Sequence, residues 1–293
     1  MLEITNLTRR FGEKVAVDSV TFAVPEGQMT GFVGGNGAGK TTTMRMVMGV
    51  LGITSGEVSW HGHQITRAER RSFGYMPEER GLYPRQPIRD QLVYLAELKG
   101  MERRAATTQV TELLDRFGLA DRAGDQLDKL SLGNQQRVQI IAAVLPRPTA
   151  LILDEPFSGL DPMAVDSMVD LLREYARDGV PVLFSSHQLD LVERLCDRLV
   201  VLAKGRVVAK GDVESLRETG AVRYRLVASH DTGWVRDLPG LGVLDLAGES
   251  VLVEVLEPGA EQALVSEAAR RGAVHEFSRV RPALSDIYRE VSA

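Results

Sequence analysis

The sequence predicts an α/β fold in which a parallel sheet carries a phosphate-binding loop, accompanied by an antiparallel β subdomain and a helical insertion. Three observations lead to this prediction. A glycine-rich loop, Gly34–Thr42, stands between a strand pattern and a helical pattern, and a second apolar run, Ala150–Leu153, ends in two carboxylates. From about residue 216 the order of patterns becomes β-α-β-β-α-β, the ferredoxin-like arrangement of a small α+β domain. We therefore divide the chain into domains at 1–215 and 216–293.

The glycine-rich loop fits the phosphate-binding pattern G-x-x-x-x-G-K-[ST]. Its residues are Gly34, Gly35, Asn36, Gly37, Ala38, Gly39, Lys40, Thr41 and Thr42. Glycines let the backbone curl around a phosphate without Cβ clashes, and the helix start that follows turns free N–H groups toward the anion. Lys40 suits the β- and γ-phosphates of a nucleotide, and the Thr41 hydroxyl suits Mg²⁺. The alternative is a glycine-rich turn that binds nothing.

Composition limits the classes of partner. Hydrophobic residues make up 44% of the 293 positions, charged residues 26%, and the formal net charge is −5. The chain lacks the basic excess of a nucleic-acid-binding protein, so we expect no nucleic-acid partner. No uncharged apolar run approaches the ~20 residues that span a bilayer, and no signal-peptide pattern opens the sequence. We expect a cytoplasmic protein whose membrane association, if any, is peripheral.

The first strands form an antiparallel hairpin in this interpretation. Residues 2–8 and 15–24 have strand patterns, with a turn at 12–14 between them. Phe11 lies just before the turn. Its ring either stacks on a nucleotide base, which is a common use of an exposed aromatic side chain, or packs under the hairpin.

A helical block separates the loop region from the second apolar strand. Between Ile88 and Leu145 apolar residues recur at i, i+3 and i+4, which predicts an all-helical insertion over about residues 86–147. Ser131 is a good N-cap for the last of these helices.

Two carboxylates and a histidine follow buried strands, at the edge where α/β sheets place their ligands. Asp154 and Glu155 end the strand over 150–156, and His187 ends the strand that starts at Val180. Asp154 suits Mg²⁺, and Glu155 suits an acceptor for a proton of attacking water. His187 could contact a γ-phosphate and water, or be a capped turn residue.

Together these segments resemble the ATP-binding subunit of an ABC transporter over residues 1 to about 215. The positions that match the family's motifs are Phe11 for the adenine-stacking aromatic, Gly34–Thr41 for Walker A, Leu151–Asp154 with Glu155 for Walker B and the catalytic glutamate, Ser158–Asp161 for the D-loop, and His187 for the switch histidine. The resemblance implies an ATPase that uses ATP and Mg²⁺, with Lys40, Glu155 and His187 in catalysis and Asp161 at the nucleotide.

Three positions depart from the family's pattern. Gly35 replaces a common proline of Walker A, which a loop should tolerate. Glu78 stands where the family has the Q-loop glutamine; its carboxylate can coordinate Mg²⁺ but adds negative charge near the phosphates. Leu130–Asn134 stands in place of Leu-Ser-Gly-Gly-Gln, and its Ser131 and Gly133 are the residues that the resemblance places on the γ-phosphate.

The resemblance also implies partners. ABC ATPases work as head-to-tail dimers, so we expect a homodimer in which each loop meets Ser131 and Gly133 of the facing copy. The residues around Glu78 and Gly133 look like a bacterial subgroup that pairs with integral membrane permeases of the ABC-2 type, mostly exporters, at the cytoplasmic face of the membrane. Two other functions stay open: a non-transport ABC ATPase acting on ribosomes or DNA, and a nucleotide-dependent regulatory module.

Overall fold

The computed structural model describes residues 1–79, 81–218 and 222–280. The chain divides into two compact units, Met1–Val213 and a second unit that begins at Glu214. The domain limits expected from the sequence, 1–215 and 216–293, stay a prediction. The helix expected over Ala283–Val291 lies outside the described residues.

The first unit contains ten strands among the described residues. They are β1 (Leu2–Phe11), β2 (Lys14–Val24), β3 (Met29–Gly34), β4 (Ser55–Trp60), β5 (His63–Gln64), β6 (Gly74–Met76), β7 (Leu151–Leu153), β8 (Val182–Ser186), β9 (Arg198–Ala203) and β10 (Arg206–Asp212). The helices are α1 (Lys40–Val47), α2 (Arg67–Arg71), α3 (Ile88–Leu98), α4 (Arg103–Arg116), α5 (Leu132–Val144), α6 (Pro162–Arg177) and α7 (Leu189–Leu195), with short 3₁₀ turns at Ala120–Arg122 and Leu127–Lys129. Helix α8 (Val213–Glu218) spans the division between the units.

The central sheet has the strand order β10-β9-β3-β8-β7-β6, and its strands are parallel except for the edge strand β10. Strand β3 is buried along its whole length, as expected for a strand covered on both faces. Because β3, β7 and β8 run in the same direction side by side, the loops after them meet at one edge of the sheet. These three loops carry the predicted site residues Asp154, Glu155 and His187 and the glycine-rich loop that ends at Lys40.

A second sheet of the first unit is antiparallel, with the order β2-β1-β4-β5. Its inner face packs on α1 and on the central sheet through one core, which includes Leu2, Ile4, Phe22 and Val58. The predicted antiparallel β subdomain is therefore confirmed. Helix α2 was not predicted; its start is fixed by a capping box between Thr66 and Glu69.

The predicted helical insertion is confirmed as α3, α4 and α5. Helices α3 and α4 each present one buried face, for example Ile88, Leu92 and Ala96 on α3, whereas α5 has no exposed residue from Gln136 to Val144. Helix α5 reaches the central sheet because Gly74 of β6 has no side chain. A Cβ on Gly74 would lie 2.3 Å from the Ala143 carbonyl oxygen and 2.6 Å from Cδ2 of Leu151. This contact positions the helix that begins after Ser131.

We expect Gly74→Ala to destabilise the fold by about 1–3 kcal/mol, because a methyl group cannot enter this contact without moving α5 or β7. The free energy of unfolding in urea measures it. Gly124→Ala is the matched control: a Cβ added there would meet nothing within 4 Å, so its change should stay within about 0.5 kcal/mol. Equal stability of the two variants would contradict this account of how α5 packs.

The second unit has a four-stranded antiparallel sheet in the order β12-β13-β11-β14. Its elements are β11 (Arg223–Ala228), a 3₁₀ helix (Gly233–Asp237), β12 (Leu241–Ala247), β13 (Ser250–Val255), α9 (Ala260–Arg271) and β14 (Val274–Val280). The core lies on one face of the sheet, where Leu226, Val251 and Val253 meet Leu264 and Ala268 of α9. This is the predicted ferredoxin-like arrangement, with a single 3₁₀ turn as its first helix.

The structure also bears on membrane crossing. Within residues 1–79, 81–218 and 222–280, no helix has both the length and the apolar character that a membrane span requires.

Candidate active site

The glycine-rich loop joins β3 to α1 and surrounds the Lys40 side chain. Gly39 lies before the helix with φ +105°, and Gly37 has φ +76°, conformations that side chains disfavour. The buried Lys40 ammonium donates to the Gly34 carbonyl oxygen at 2.7 Å. The loop therefore wraps around a positive charge, beside the free N–H groups of a helix start.

A cavity of about 640 Å³ opens over this loop. Its lining comprises Phe11, Lys14, Val15, Ala16, Gly35, Asn36, Gly37, Ala38, Gly39, Lys40, Thr41, Thr42, Glu78, Asp154, Glu155, Lys204 and Gly205. The volume is in the range of small-molecule sites. The cavity brings together Gly35–Thr42 of the predicted loop, Glu78, the two carboxylates and Phe11, whereas the predicted residues Gly34 and His187 do not line it. Sequence reasoning missed Lys204 and Gly205, which reach the cavity from the turn between β9 and β10.

A larger cleft, of about 900 Å³, lies elsewhere in the first unit. Its lining includes Ser72, Thr149 and Pro181, which precede β6, β7 and β8. These residues belong to the amino ends of the parallel strands. Ligands of α/β sheets bind at the carboxyl ends, and the phosphate-binding loop is there too. We therefore take the smaller cavity as the candidate active site.

Asp154 is the most buried acidic residue of the cavity. Its Oδ1 accepts a 2.6 Å hydrogen bond from Ser185 Oγ, while its Oδ2 is buried without a partner among the described residues. A buried carboxylate oxygen needs a ligand, because leaving it unpaired is costly. Sequence reasoning also missed Ser185; the available signal was a pair of serines ending an otherwise apolar strand.

The next residue, Glu155, has a backbone conformation that residues other than glycine rarely adopt. Its φ is +52°, and its N–H donates to Ser185 Oγ at 2.8 Å. The Glu155 carboxylate lies 4.0 Å from the Lys40 ammonium and 2.9 Å from Nδ1 of His187. The continuous strand expected over 150–156 is thus wrong: β7 ends at Leu153 because the chain turns at Glu155, and this turn brings Glu155, His187 and Lys40 together.

Thr41 and Glu78 complete the polar side of the cavity. The Thr41 hydroxyl donates to Oε2 of Glu78 at 3.3 Å. Together with Oδ2 of Asp154, these side chains offer hydroxyl and carboxylate oxygens, the ligands that Mg²⁺ prefers. The donor set therefore fits a Mg²⁺ ion. Nearby, burial and then the Asp154 charge raise the pKa of the Tyr75 hydroxyl.

Phe11 lies on the cavity wall with 48% of its surface exposed. The guanidinium of Arg9 lies 4.6 Å from the centre of its ring. A half-exposed ring beside the cavity agrees with the base-stacking alternative and not with a ring packed under the hairpin.

Ser131, Gly133 and Asp161 do not line this cavity. Ser131 caps α5 by accepting the Asn134 N–H at 3.4 Å. Asp161 caps α6: it accepts the Ala164 N–H at 2.9 Å and pairs with Arg137 at 2.9 Å. The Ala164 N–H, and secondarily the Arg137 charge, lower the pKa of the Asp161 carboxyl. The roles of these three residues at the nucleotide stay predictions.

Comparisons with known proteins decide the family. Residues 17–158 match the family model described as ABC transporter. The "Uncharacterized ABC transporter ATP-binding protein YhaQ" of Bacillus subtilis (strain 168) is 40% identical over 291 residues, which are 99% of this chain and 98% of the relative. The chain belongs to the ABC transporter ATP-binding proteins. As an ATP-binding subunit of an ABC transporter, it binds and hydrolyses ATP, and the resemblance and fold class predicted from the motifs are confirmed.

Three further comparisons show which ABC transporter subunits this chain is similar to. Residues 211–292 match the family model "ATP-binding protein DrrA1-3-like, C-terminal domain". The "Nod factor export ATP-binding protein I" of Burkholderia orbicola (strain AU 1054) is 34% identical over 221 residues, 74% of this chain and 73% of the relative. A solved structure titled "Structure of ATP binding subunit of ABC transporter" shares 34% identity and a TM-score of 0.69, covering 74% of this chain and 92% of that chain.

Proposed function

We propose that two copies of this ABC subunit close head to tail over two ATP molecules and drive export through an integral membrane permease of the ABC-2 type. One observation supports the proposed dimer: the ATP cavity of a single chain is open, and Ser131 and Gly133 lie outside it. A second copy can supply them, because the start of α5 is exposed, with Leu132 61% accessible. The Ser131 hydroxyl and the Gly133 N–H would then meet the γ-phosphate.

Within each site, Lys40 binds the β- and γ-phosphates, the loop N–H groups surround them, and Phe11 stacks on adenine. Thr41, Asp154 and Glu78 would hold Mg²⁺, which would neutralise negative charge on the phosphates. Glu155 accepts a proton from the attacking water, and His187 orients that water and the γ-phosphate. The 2.9 Å contact between His187 and Glu155 supports this pairing of roles.

Two comparisons support the choice of membrane partner. The match of residues 211–292 to a DrrA1-3-like domain and the relative named for Nod factor export support an ABC-2-type exporter. The subunit would bind the cytoplasmic face of the membrane through this permease. The loop near Glu78 and helices α3 and α4 would transmit dimer closure to it.

Purification of the tagged subunit from detergent-solubilised membranes of its native host tests the partner. We expect a multi-span ABC-2-type protein in a ratio of about one copy per ATPase subunit, and ATP hydrolysis that vanishes when the Lys40→Ala chain replaces the wild type. Recovery of ribosomes, DNA-bound proteins or the ATPase alone would contradict the proposal.

Glu78→Gln is expected to change the Mg²⁺ dependence of hydrolysis. The amide removes one charged oxygen ligand, so the free Mg²⁺ concentration for half-maximal rate should rise about five- to tenfold. Rates measured against free Mg²⁺ at fixed ATP give this value. The matched control is Glu79→Gln, since Glu79 is exposed and pairs with Arg45 at 3.7 Å. Identical curves for both variants would remove Glu78 from the metal site.

A further inference from the structure

Helix α5 contacts the turn at Glu155 and Pro156, which follows β7, through the buried amide of one side chain. Gln136 lies on the helix that Ser131 caps, and it is 6% exposed. Its Nε2 donates to the carbonyl oxygen of Glu155 at 3.0 Å and to the carbonyl oxygen of Pro156 at 3.0 Å. A glutamine amide has two N–H donors, so both are used on consecutive carbonyls of this turn.

The turn needs such support because of its backbone. Glu155 has φ +52°, a conformation that persists in a non-glycine residue only when its surroundings fix it. On the amino side, the Glu155 N–H is fixed by Ser185 Oγ. On the carboxyl side, the Glu155 carbonyl accepts from Gln136 and, at 3.2 Å, from the Ser158 N–H. Gln136 is therefore the side chain that fixes the peptide units on the carboxyl side of Glu155, through the Glu155 and Pro156 carbonyls.

We infer that Gln136 is a positioning residue for ATP hydrolysis: it fixes the peptide units after Glu155 and so keeps the Glu155 carboxylate near Lys40 and His187. This inference rests on the proposed role of Glu155 as proton acceptor. The direction of a side chain follows from the backbone angles at its own Cα, and a small displacement of a reacting group lowers a rate steeply. Gln136 does not line the cavity, so it acts on the rate through Glu155.

The inference predicts a change in kcat without a change in nucleotide binding. Gln136→Leu keeps the volume of the side chain but removes both donors, so the Pro156 carbonyl loses its Gln136 donor and the Glu155 carbonyl keeps only the Ser158 N–H. We expect kcat to fall about 10- to 100-fold, because Glu155 relaxes from its position. The KM for ATP and the affinity for ADP should stay within about twofold, since the glycine-rich loop and Lys40 are untouched.

Gln139→Leu is the matched control. Gln139 lies on the same helix, is 5% exposed, and its amide has no hydrogen-bond partner in the part of the chain that the structure describes. The same substitution there removes no bond to the turn, so kcat should stay within about twofold. A kcat loss equal in the two leucine variants would overturn the inference, because it would reflect general damage to α5.

The variant Gln136→Glu tests the role of Gln136 even if the Gln136→Leu chain does not fold. A protonated carboxyl can donate one hydrogen bond to the turn, whereas its ionised form repels both carbonyl oxygens. Burial raises the pKa of the introduced carboxyl, so the ratio of variant to wild-type kcat should rise as pH falls from about 8.5 to 6. A constant ratio would overturn the inference. If Glu155→Gln hydrolyses ATP normally, the proposed function of Glu155 fails instead, and the two failures are distinguished.

Discussion

Replacing Glu155 with glutamine should reduce ATP hydrolysis by about 10²- to 10⁴-fold while ATP still binds, because the amide cannot accept a proton from water. The substitution preserves size, and the amide oxygen can still accept a hydrogen bond from Nδ1 of His187, which lies 2.9 Å from the carboxylate. The Lys40 ammonium lies 4.0 Å from the other carboxylate oxygen. Phosphate release gives the rate, and titration with a fluorescent ATP analogue gives the affinity.

Glu79→Gln provides the comparison for this experiment. Glu79 is a carboxylate of the neighbouring loop that does not line the cavity, and its loss should leave the rate within about twofold. If Glu155→Gln retained hydrolysis within a few-fold of wild type, Glu155 would not be the proton acceptor, and His187 or a water chain would have to take that role.

Lys40→Ala should weaken ATP binding by about 10- to 150-fold for each phosphate hydrogen bond that is lost. The ammonium is buried in the glycine-rich loop, where it is held by the Gly34 carbonyl at 2.7 Å and faces the cavity. Its removal takes a positive charge from beside the Glu155 carboxylate and from the loop that surrounds the phosphates. Isothermal titration with ATP, ADP and AMP measures the effect.

The three nucleotides separate a phosphate contact from general damage. AMP has no β- or γ-phosphate, so its affinity should hardly change. Lys210→Ala serves as the control variant, because Lys210 donates to the Thr21 carbonyl and does not line the cavity. An equal loss for all three nucleotides would mean that Lys40 supports the loop and does not bind the β- and γ-phosphates.

The local parts of the site could be predicted from sequence. The loop Gly34–Thr42 is continuous in the chain, so its glycines, its lysine and the helix start are visible as one pattern. The parallel strands were also predictable, because their apolar runs are unbroken. Since such strands end at one edge, Asp154, Glu155 and His187 could be expected near Lys40 from the order of the strands alone.

The parts that depend on distant contacts could not be predicted. Ser185 is 31 residues from Asp154, and Gln136 is 19 residues from Glu155, so no local pattern links them. The left-handed backbone at Glu155 was invisible because the usual signal for positive φ is glycine. The expected strand over 150–156 therefore ran too far. The contacts of Ser131 and Gly133 with a second copy were expected from the resemblance and stay a prediction.

The central claim is that each ATP site is completed by Ser131 and Gly133 of a second copy. Light scattering of the Glu155→Gln chain tests it directly, because blocked hydrolysis should trap the closed dimer. With ATP and Mg²⁺ the mass should double from that of one 32.1 kDa chain, and with ADP it should not. Adding Ser131→Arg should abolish the doubling while each monomer still binds ATP. A Glu155→Gln/Ser131→Arg chain that still dimerises on ATP would contradict the account.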